Sequence, residues 1–325
     1  MPHVVLAGKL HRAGIALLQK QAGFTFDHVE EVSEASYVPF MGKADALVIR
    51  TQPLRAATIA ASNHLKIVSR HGVGYDAVDV TALTSHNIPL AIIGDVNSNA
   101  VAEHTMMMML AAAHRLVRAD ASVRQGQWGW RNALEPQELF GKRLLIIGFG
   151  RIGRLLARIA QSFGMVVHAY DPYLVKQGWP DAGVAPEVDL GAALARADVV
   201  SVHIPKSDRP VLGAAELIQI KPGAIVINCA RGGIVDEAAL AVALKEGRVG
   251  AAALDVFDVE PPQVGHPLFG FDQVVMTPHN AALTRECGER MAVASVQNVL
   301  DFFAGKLDPA LVVNGIELSK KGAVA

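Results

Sequence analysis

The sequence reads as an α/β protein of two doubly wound parallel-sheet domains, the first of them discontinuous. Three observations predict this. Short β-branched and aliphatic runs recur along the chain, each separated from the next by enough residues for a crossover helix. The runs are apolar throughout instead of alternating, as strands buried on both faces must be. Finally, 325 residues exceed what one core of ordinary size organises.

In the first third, Val4-Val5-Leu6, Ala46-Leu47-Val48-Ile49, Lys66-Ile67-Val68 and Leu90-Ala91-Ile92-Ile93 read as strands. A long helix is expected from near Asn99 to about Arg118, with Asn97, Ser98 and Asn99 as capping candidates and Glu103 near the positive end of its dipole. Its run Met106-Met107-Met108-Met109 reads as a buried helix between two domains, in preference to a sulfur-lined pocket. The rhythm restarts at Arg143-Leu144-Leu145-Ile146-Ile147. It continues through Val166–Tyr170, Val199–His203, Ala224–Asn228, Ala251–Leu254 and Val274–Met276. A last helical pattern starts near Arg285 and ends in a polar tail. The expected organisation is a substrate domain over 1–98, a nucleotide domain over 99–289, and a C-terminal helix over 290–325 that returns to the first. A ligand is expected in the crevice between them, beyond the carboxyl ends of the strands.

Composition narrows the function. Thirty basic and 31 acidic residues leave a net charge of −1, without the positive field that nucleic-acid binding uses. No apolar stretch approaches bilayer length, so no membrane partner is expected. The N-terminus runs straight into a strand, so no signal peptide is expected. Two distant cysteines, Cys229 and Cys287, suit neither a disulfide framework nor a metal site and point to a reducing cytoplasm.

Gly148-Phe149-Gly150-Arg151-Ile152-Gly153 is a G-x-G-x-x-G. Alone such a turn signifies little. Here an apolar strand precedes it, and Ile152, Leu155, Leu156, Ile159 and Phe163 follow at helical spacing, the strand–turn–helix of a dinucleotide (Rossmann) site. The first glycine permits the turn, the second admits a pyrophosphate, and the third lets helix and strand pack. Asp171 closes the next strand, placed to accept ribose hydroxyls and to repel a 2′-phosphate; NAD is therefore the expected cofactor.

Hydride transfer to a carbonyl also needs a cation for the substrate and a proton donor. Arg231, Glu260 and His279 each follow a strand of the second domain, on the edge that carries the glycine turn. Singly, these would read as a surface arginine, a turn glutamate and a structural histidine. Together, a Glu bonded to a His sets its tautomer and favours the imidazolium that donates a proton.

These blocks closely resemble the D-isomer-specific 2-hydroxyacid dehydrogenase family. The resemblance is carried by Gly72-Val73-Gly74-Tyr75-Asp76-Ala77-Val78-Asp79, Val101-Ala102-Glu103-His104-Thr105, Gly148–Gly153, Cys229–Glu237, Asp255–Pro261 and Thr277-Pro278-His279, and it spans nearly the whole chain. It implies that Arg231 binds the substrate carboxylate and carbonyl, that His279 is the acid/base, and that Glu260 tunes it. It places backbone N–H groups of Val73 and Gly74 on the carboxylate and Asp255 near the nicotinamide carboxamide. Thr105, Arg151 and Ile152 fall near the phosphates, with further cofactor contacts at His203, Pro205, Cys229, Ala230 and Ala282. The function implied is NAD-dependent reduction of a small 2-oxo acid, or oxidation of the 2-hydroxy acid. Members of phosphoglycerate dehydrogenase and glyoxylate/hydroxypyruvate reductase type are the nearest readings. An NAD-sensing corepressor is the alternative from another class, separated by turnover.

Departures lie beside the cofactor: Asn280-Ala281-Ala282 follows His279 where the family usually has an apolar residue and small glycines, and the loop with Lys206 is about two residues short. The chain lacks the C-terminal extension of some phosphoglycerate dehydrogenases, so feedback by that route is not expected. A homodimer is expected through roughly Ala119–Leu139, which holds Trp128, Trp130 and Arg131, a plain packed loop being the alternative. Arg50 and Arg70 end first-domain strands, where the phosphoglycerate dehydrogenase pattern also has arginines. They suit a second anionic group on the substrate, or else pair with acids such as Asp76 or Asp79.

Overall fold

The computed structural model describes residues 1–180 and 183–318. The chain divides into two compact units, Met1–Asn97 with Leu283 onward, and Ser98–Ala282.

The first unit holds a parallel sheet in the order β2-β1-β3-β4-β5, with β1 His3–Ala7, β2 Thr25–Val29, β3 Ala46–Ile49, β4 Ile67–Arg70 and β5 Leu90–Ala91. Side chains alternate across it. Val5, Ala7, Leu47, Ile49 and Val68 face a core with Tyr37, Ile59 and Leu83. Val4, Leu6, Ala46, Val48 and Ile67 face the other way, toward Ala292, Val296 and Val299 of the helix Arg285–Phe303. Each fully buried Val, Leu or Ile contributes about 1.5–3 kcal/mol of transfer free energy. Because that helix packs along its length on this sheet, the chain returns ahead of it, near residue 283, and not at 290. Gly14 lets the helix Arg12–Gln19 lie against it, since a Cβ there would stand 2.7 Å from Ala292 O. Beyond the helix, Val312 bridges Ala91 antiparallel, so the returning chain also covers the sheet edge.

The second unit holds a seven-stranded parallel sheet, order β12-β11-β10-β9-β6-β7-β8. Its strands are β6 Arg143–Ile147, β7 Val166–Tyr170, β8 Ala185–Glu187, β9 Val199–Val202, β10 Ala224–Asn228, β11 Val249–Leu254 and β12 Val274–Met276. Sequence order reverses direction between β6 and β9, the switch point at which such sheets take ligands. One face packs on the helices Ser98–Ala113 and Arg151–Ser162, with Met106, Met108 and Met109 buried beside Leu144, Ile146 and Ile227. The expected single helix to Arg118 is two: Arg115 adopts φ 52°, its guanidinium donating to Gly250 O, and a second helix runs Leu116–Arg124.

Candidate active site

The glycine turn has the three properties its sequence foretold. Gly148 has φ +92°, and a Cβ there would lie 2.5 Å from His203 O. A Cβ on Gly153 would collide with Gly148 O, so helix and strand meet at van der Waals distance only because residue 153 is glycine. At Gly150 nothing lies within 4 Å of a would-be Cβ, leaving backbone open to a ligand at the head of the helix Arg151–Ser162. Asp171 is tied into this turn. Its Oδ2 accepts the Phe149 N–H at 2.9 Å, while Oδ1 accepts from Tyr173 and Leu174, capping the helix Pro172–Gln177. His203, beside the turn, is pushed down to about 4 by burial; its Nε2 meets Ser201 Oγ at 2.8 Å and its buried Nδ1 has no partner. A tight turn, an open backbone cradle and a carboxylate on the next strand fit a dinucleotide.

The strands beyond the switch point carry the rest. At the end of β10, the Asn228 side chain bonds the loop that follows: Nδ2 donates to Arg231 O at 2.9 Å, and Oδ1 accepts the Ala230 N–H at 3.1 Å. This shapes the turn that carries Arg231, whose Nη1 donates to Ala230 O. Burial pushes the neighbouring Cys229 thiol up to about 12, so it is no nucleophile.

After β11 comes Asp255, with no exposed surface. Its Oδ1 accepts Thr277 Oγ1–H at 2.6 Å and the Asn280 N–H at 2.9 Å, and Oδ2 accepts the Ala281 N–H at 3.0 Å. The Asp255 carbonyl accepts the His279 N–H at 2.7 Å. The segment after β12 is therefore wrapped on Asp255, which holds His279 in a left-handed conformation, φ 48°. His104 closes the network 3.1 Å from Thr277 Oγ1, and burial, partly countered by the Asp255 charge, lowers its pKa.

His279 Nδ1 lies 2.6 Å from Glu260 Oε2, and Glu260 Oε1 accepts the Phe257 N–H at 3.0 Å. Burial opposes the Glu260 charge. The hydrogen bonds from His279 and Phe257, with the His279 and Arg231 charges, outweigh it and hold the carboxyl below the usual range. An ionised carboxylate only accepts, so Nδ1 carries the proton and Nε2 is the outward nitrogen.

The second unit thus places Arg231, Glu260, His279, Asp255 and the Gly148–Gly153 turn on one edge of one sheet. Thr105, expected near the phosphates, has no exposed surface; its hydroxyl donates to Val101 O within its own helix. Asn280 turns a buried Oδ1 that lacks a partner toward the interior, where an apolar residue would need none.

In the first unit Ile49 pairs with Arg70, so Arg50 and Arg70 end adjacent strands. Arg50 Nη1 donates to Lys9 O at 3.1 Å, and burial lowers its pKa. Arg70 Nη1 donates to Ile49 O and His71 O. His71, which sequence reasoning passed over, is buried beside both. Burial, then the Arg50 and Arg70 charges, push it down to about 4. Glu237 and His266 were also passed over as individual residues. Glu237 stands inside the Cys229–Glu237 block, the one signal that could have flagged it.

A glycine turn at the switch point thus shares one sheet edge with a histidine–carboxylate pair and a guanidinium, an arrangement compatible with nicotinamide-dependent oxidoreduction. Residues 106–281 match the family model described as D-isomer specific 2-hydroxyacid dehydrogenase, NAD binding domain. The D-3-phosphoglycerate dehydrogenase of Methanocaldococcus jannaschii is 36% identical over 310 residues, 94% of this chain and 58% of that protein. The hydroxypyruvate reductase of Thermotoga maritima is 37% identical over 281 residues, 85% of this chain and 89% of that one. Among solved structures, the NADPH-dependent glyoxylate/hydroxypyruvate reductase of Sinorhizobium meliloti, in complex with citrate, superposes with TM-score 0.85 at 28% identity, covering 95% of this chain and 97% of that one. The chain belongs to the D-isomer-specific 2-hydroxyacid dehydrogenase family. It spans about three fifths of the length of the phosphoglycerate dehydrogenases it matches. Among the described residues no helix is long and apolar enough to cross a membrane.

Proposed function

We propose that this protein is an NAD-dependent dehydrogenase interconverting a small 2-oxo acid and its D-2-hydroxy acid. The observation that carries this is the 2.6 Å His279–Glu260 pair, on the sheet edge that also bears Arg231 and the glycine turn. The turn Gly148–Gly153 would hold the pyrophosphate and Asp171 the ribose hydroxyls. A nicotinamide held there would supply hydride-transfer chemistry at the substrate C2. Arg231 matches a carboxylate as a planar fork and polarises the adjacent carbonyl. His279 delivers a proton from Nε2 to the carbonyl oxygen, and in reverse removes it. Glu260 accepts the Nδ1–H, which keeps the ring oriented and provides its countercharge.

Arg50 and Arg70, with the Val73–Gly74 backbone, support a substrate carrying a second anionic group, in the manner of a phosphoglycerate dehydrogenase. Steady-state rates with NADH on phosphohydroxypyruvate, sulfopyruvate, hydroxypyruvate and glyoxylate test both parts. The dianions should have the higher kcat/KM, and Arg50→Ala should remove that advantage. If the singly charged acids win and Arg50→Ala leaves them untouched, a glyoxylate/hydroxypyruvate reductase is the better description. No turnover on any of the four would sink the enzyme reading.

Two further parts of the reading concern state and place. Leu116, Val123, Trp128, Leu134 and Phe140 of the second unit are more than half exposed, apolar side chains that a second copy of the chain would cover. Light scattering should give a dimer mass, and Trp128→Glu should lower it. Two free, buried cysteines suit the cytoplasm.

A further inference from the structure

Outside the groups assigned above, the second unit contains a partly buried acid–imidazole pair. Glu237 opens the helix Glu237–Lys245, six residues after Arg231. Its Oε2 lies 2.7 Å from His266 Nε2, and its Oε1 accepts the Asp258 N–H at 2.7 Å. His266 Nδ1 accepts the Leu268 N–H at 3.3 Å, which fixes the neutral tautomer with Nε2–H donating to Glu237. Only 12% of the Glu237 side chain and 14% of the His266 side chain are exposed, so neither bond competes freely with water.

These bonds act on the turn that aims Glu260. That turn closes on itself through the Phe257 N–H to Glu260 Oε1, and Asp258 N lies at its centre. The Arg231 loop is pressed against the same peptide, since a Cβ on Gly232 would overlap Phe257 O. Glu237 is thus the side chain through which the Arg231 loop grips the Glu260 turn, and His266 holds that grip from the far side.

We propose that Glu237, oriented by His266, is a positioning residue that sets the Glu260 carboxylate against the His279 ring. The proposal rests on the reading of His279 and Glu260 as the acid–base pair. His279 and Arg231 are the charged groups that face Glu260, with Asp258 two residues away in its own turn. When the grip is lost, Glu260 swings free of His279, and its pKa rises toward the ordinary carboxylate value.

The test is the pH dependence of kcat/KM for 2-oxo acid reduction by the full chain, for wild type, Glu237→Ala and Glu237→Gln, with Glu260→Gln as reference. The acid limb reports Glu260, because the active form holds it ionised. In Glu237→Ala this limb should move up by about one pH unit and kcat should fall about tenfold, with the NADH dissociation constant from fluorescence titration unchanged. Glu237→Gln keeps an acceptor for Asp258 N but loses the bond from His266, and should shift the limb the same way by less. Should Glu237→Ala fail to fold, the pH profile of Glu237→Gln decides. A lower melting temperature with the acid limb unmoved would make the pair merely structural and overturn the proposal. If Glu260→Gln keeps the wild-type acid limb, the acid–base reading itself fails and the proposal falls with it; if only the Glu237 variants keep it, that reading survives alone.

Discussion

Two histidines at strand ends, one in each unit, stand in opposite surroundings. His279 in the second unit faces an ionised carboxylate at 2.6 Å and keeps half of its side chain exposed. His71 in the first unit is buried beside Arg50 and Arg70 and is pushed down to about 4. Both units are parallel sheets with apolar cores on both faces, so backbone architecture does not explain the difference. It comes first from burial, deep at His71 and slight at His279, and then from the charges that the neighbouring strand ends present: carboxylates after β11, guanidiniums at the ends of β3 and β4. The same residue type thus faces a carboxylate in one unit and stands neutral beside two cations in the other.

The largest expected effect breaks the comparison at its reactive end. His279→Ala should reduce kcat by a factor on the order of 10² to 10⁴, the usual loss of a general acid/base. His71→Leu should leave that step within a few-fold. Single-turnover rates with bound NADH decide; a near-normal His279→Ala enzyme would overturn the assignment.

The next effect is on stability. His71 titrates near 6.5 when unfolded and near 4 when folded, so the unfolded chain binds more protons between these values. The stability from keeping it neutral is full above about pH 6.5 and is lost as pH falls toward 4, by about 3 kcal/mol in all. His203 in the second unit behaves alike, but there burial alone is the cause. Arg50→Leu should therefore raise the titration point of His71 in an imidazole NMR titration and leave His203 where it is. Equal movement of both would mean that charge is not what distinguishes them.

Asp171 comes third. Asp171→Ala should shift the NADPH/NADH ratio of kcat/KM toward NADPH by about ten- to a hundredfold, through lost ribose bonds and relieved repulsion. It should also cost about 1 kcal/mol of stability, because Asp171 caps a helix. An unchanged cofactor ratio with lowered stability would leave it as a cap alone.

The last effects separate two glycines. Gly14→Ala drives a methyl into Ala292 O and should cost about 1–3 kcal/mol without touching NADH affinity. Gly150→Ala meets nothing in the protein, so the melting temperature should hold while NADH binding weakens. Thermal melts and NADH titrations of both variants give the crossed pattern or refute it.

Inner strands were legible residue by residue: Ala46–Ile49, Arg143–Ile147, Val166–Tyr170 and Ala224–Asn228 stand where their apolar runs place them, as does the edge strand Val274–Met276. Burial on both faces selects aliphatic residues at most positions of these strands, and that selection is visible locally. The glycine turn was legible too, because steric limits at Gly148 and Gly153 act within a few residues or on the adjacent strand. The outer strands β2 and β8 were not. Thr25–Val29 is only partly covered, and Ala185–Glu187 is largely exposed and contains a proline, so neither shows an apolar run. Nor could the sequence announce the helix break at Arg115, whose side chain is held by a carbonyl 135 residues away. The grip of Glu237 on Asp258 and His266, the wrapping of the His279 segment on Asp255, and the neutral state of His71 arise the same way. Each depends on which groups meet across sheet and loop, because hydrogen-bond distance and local charge are set by tertiary contact, whereas periodicity records only what each residue must bury.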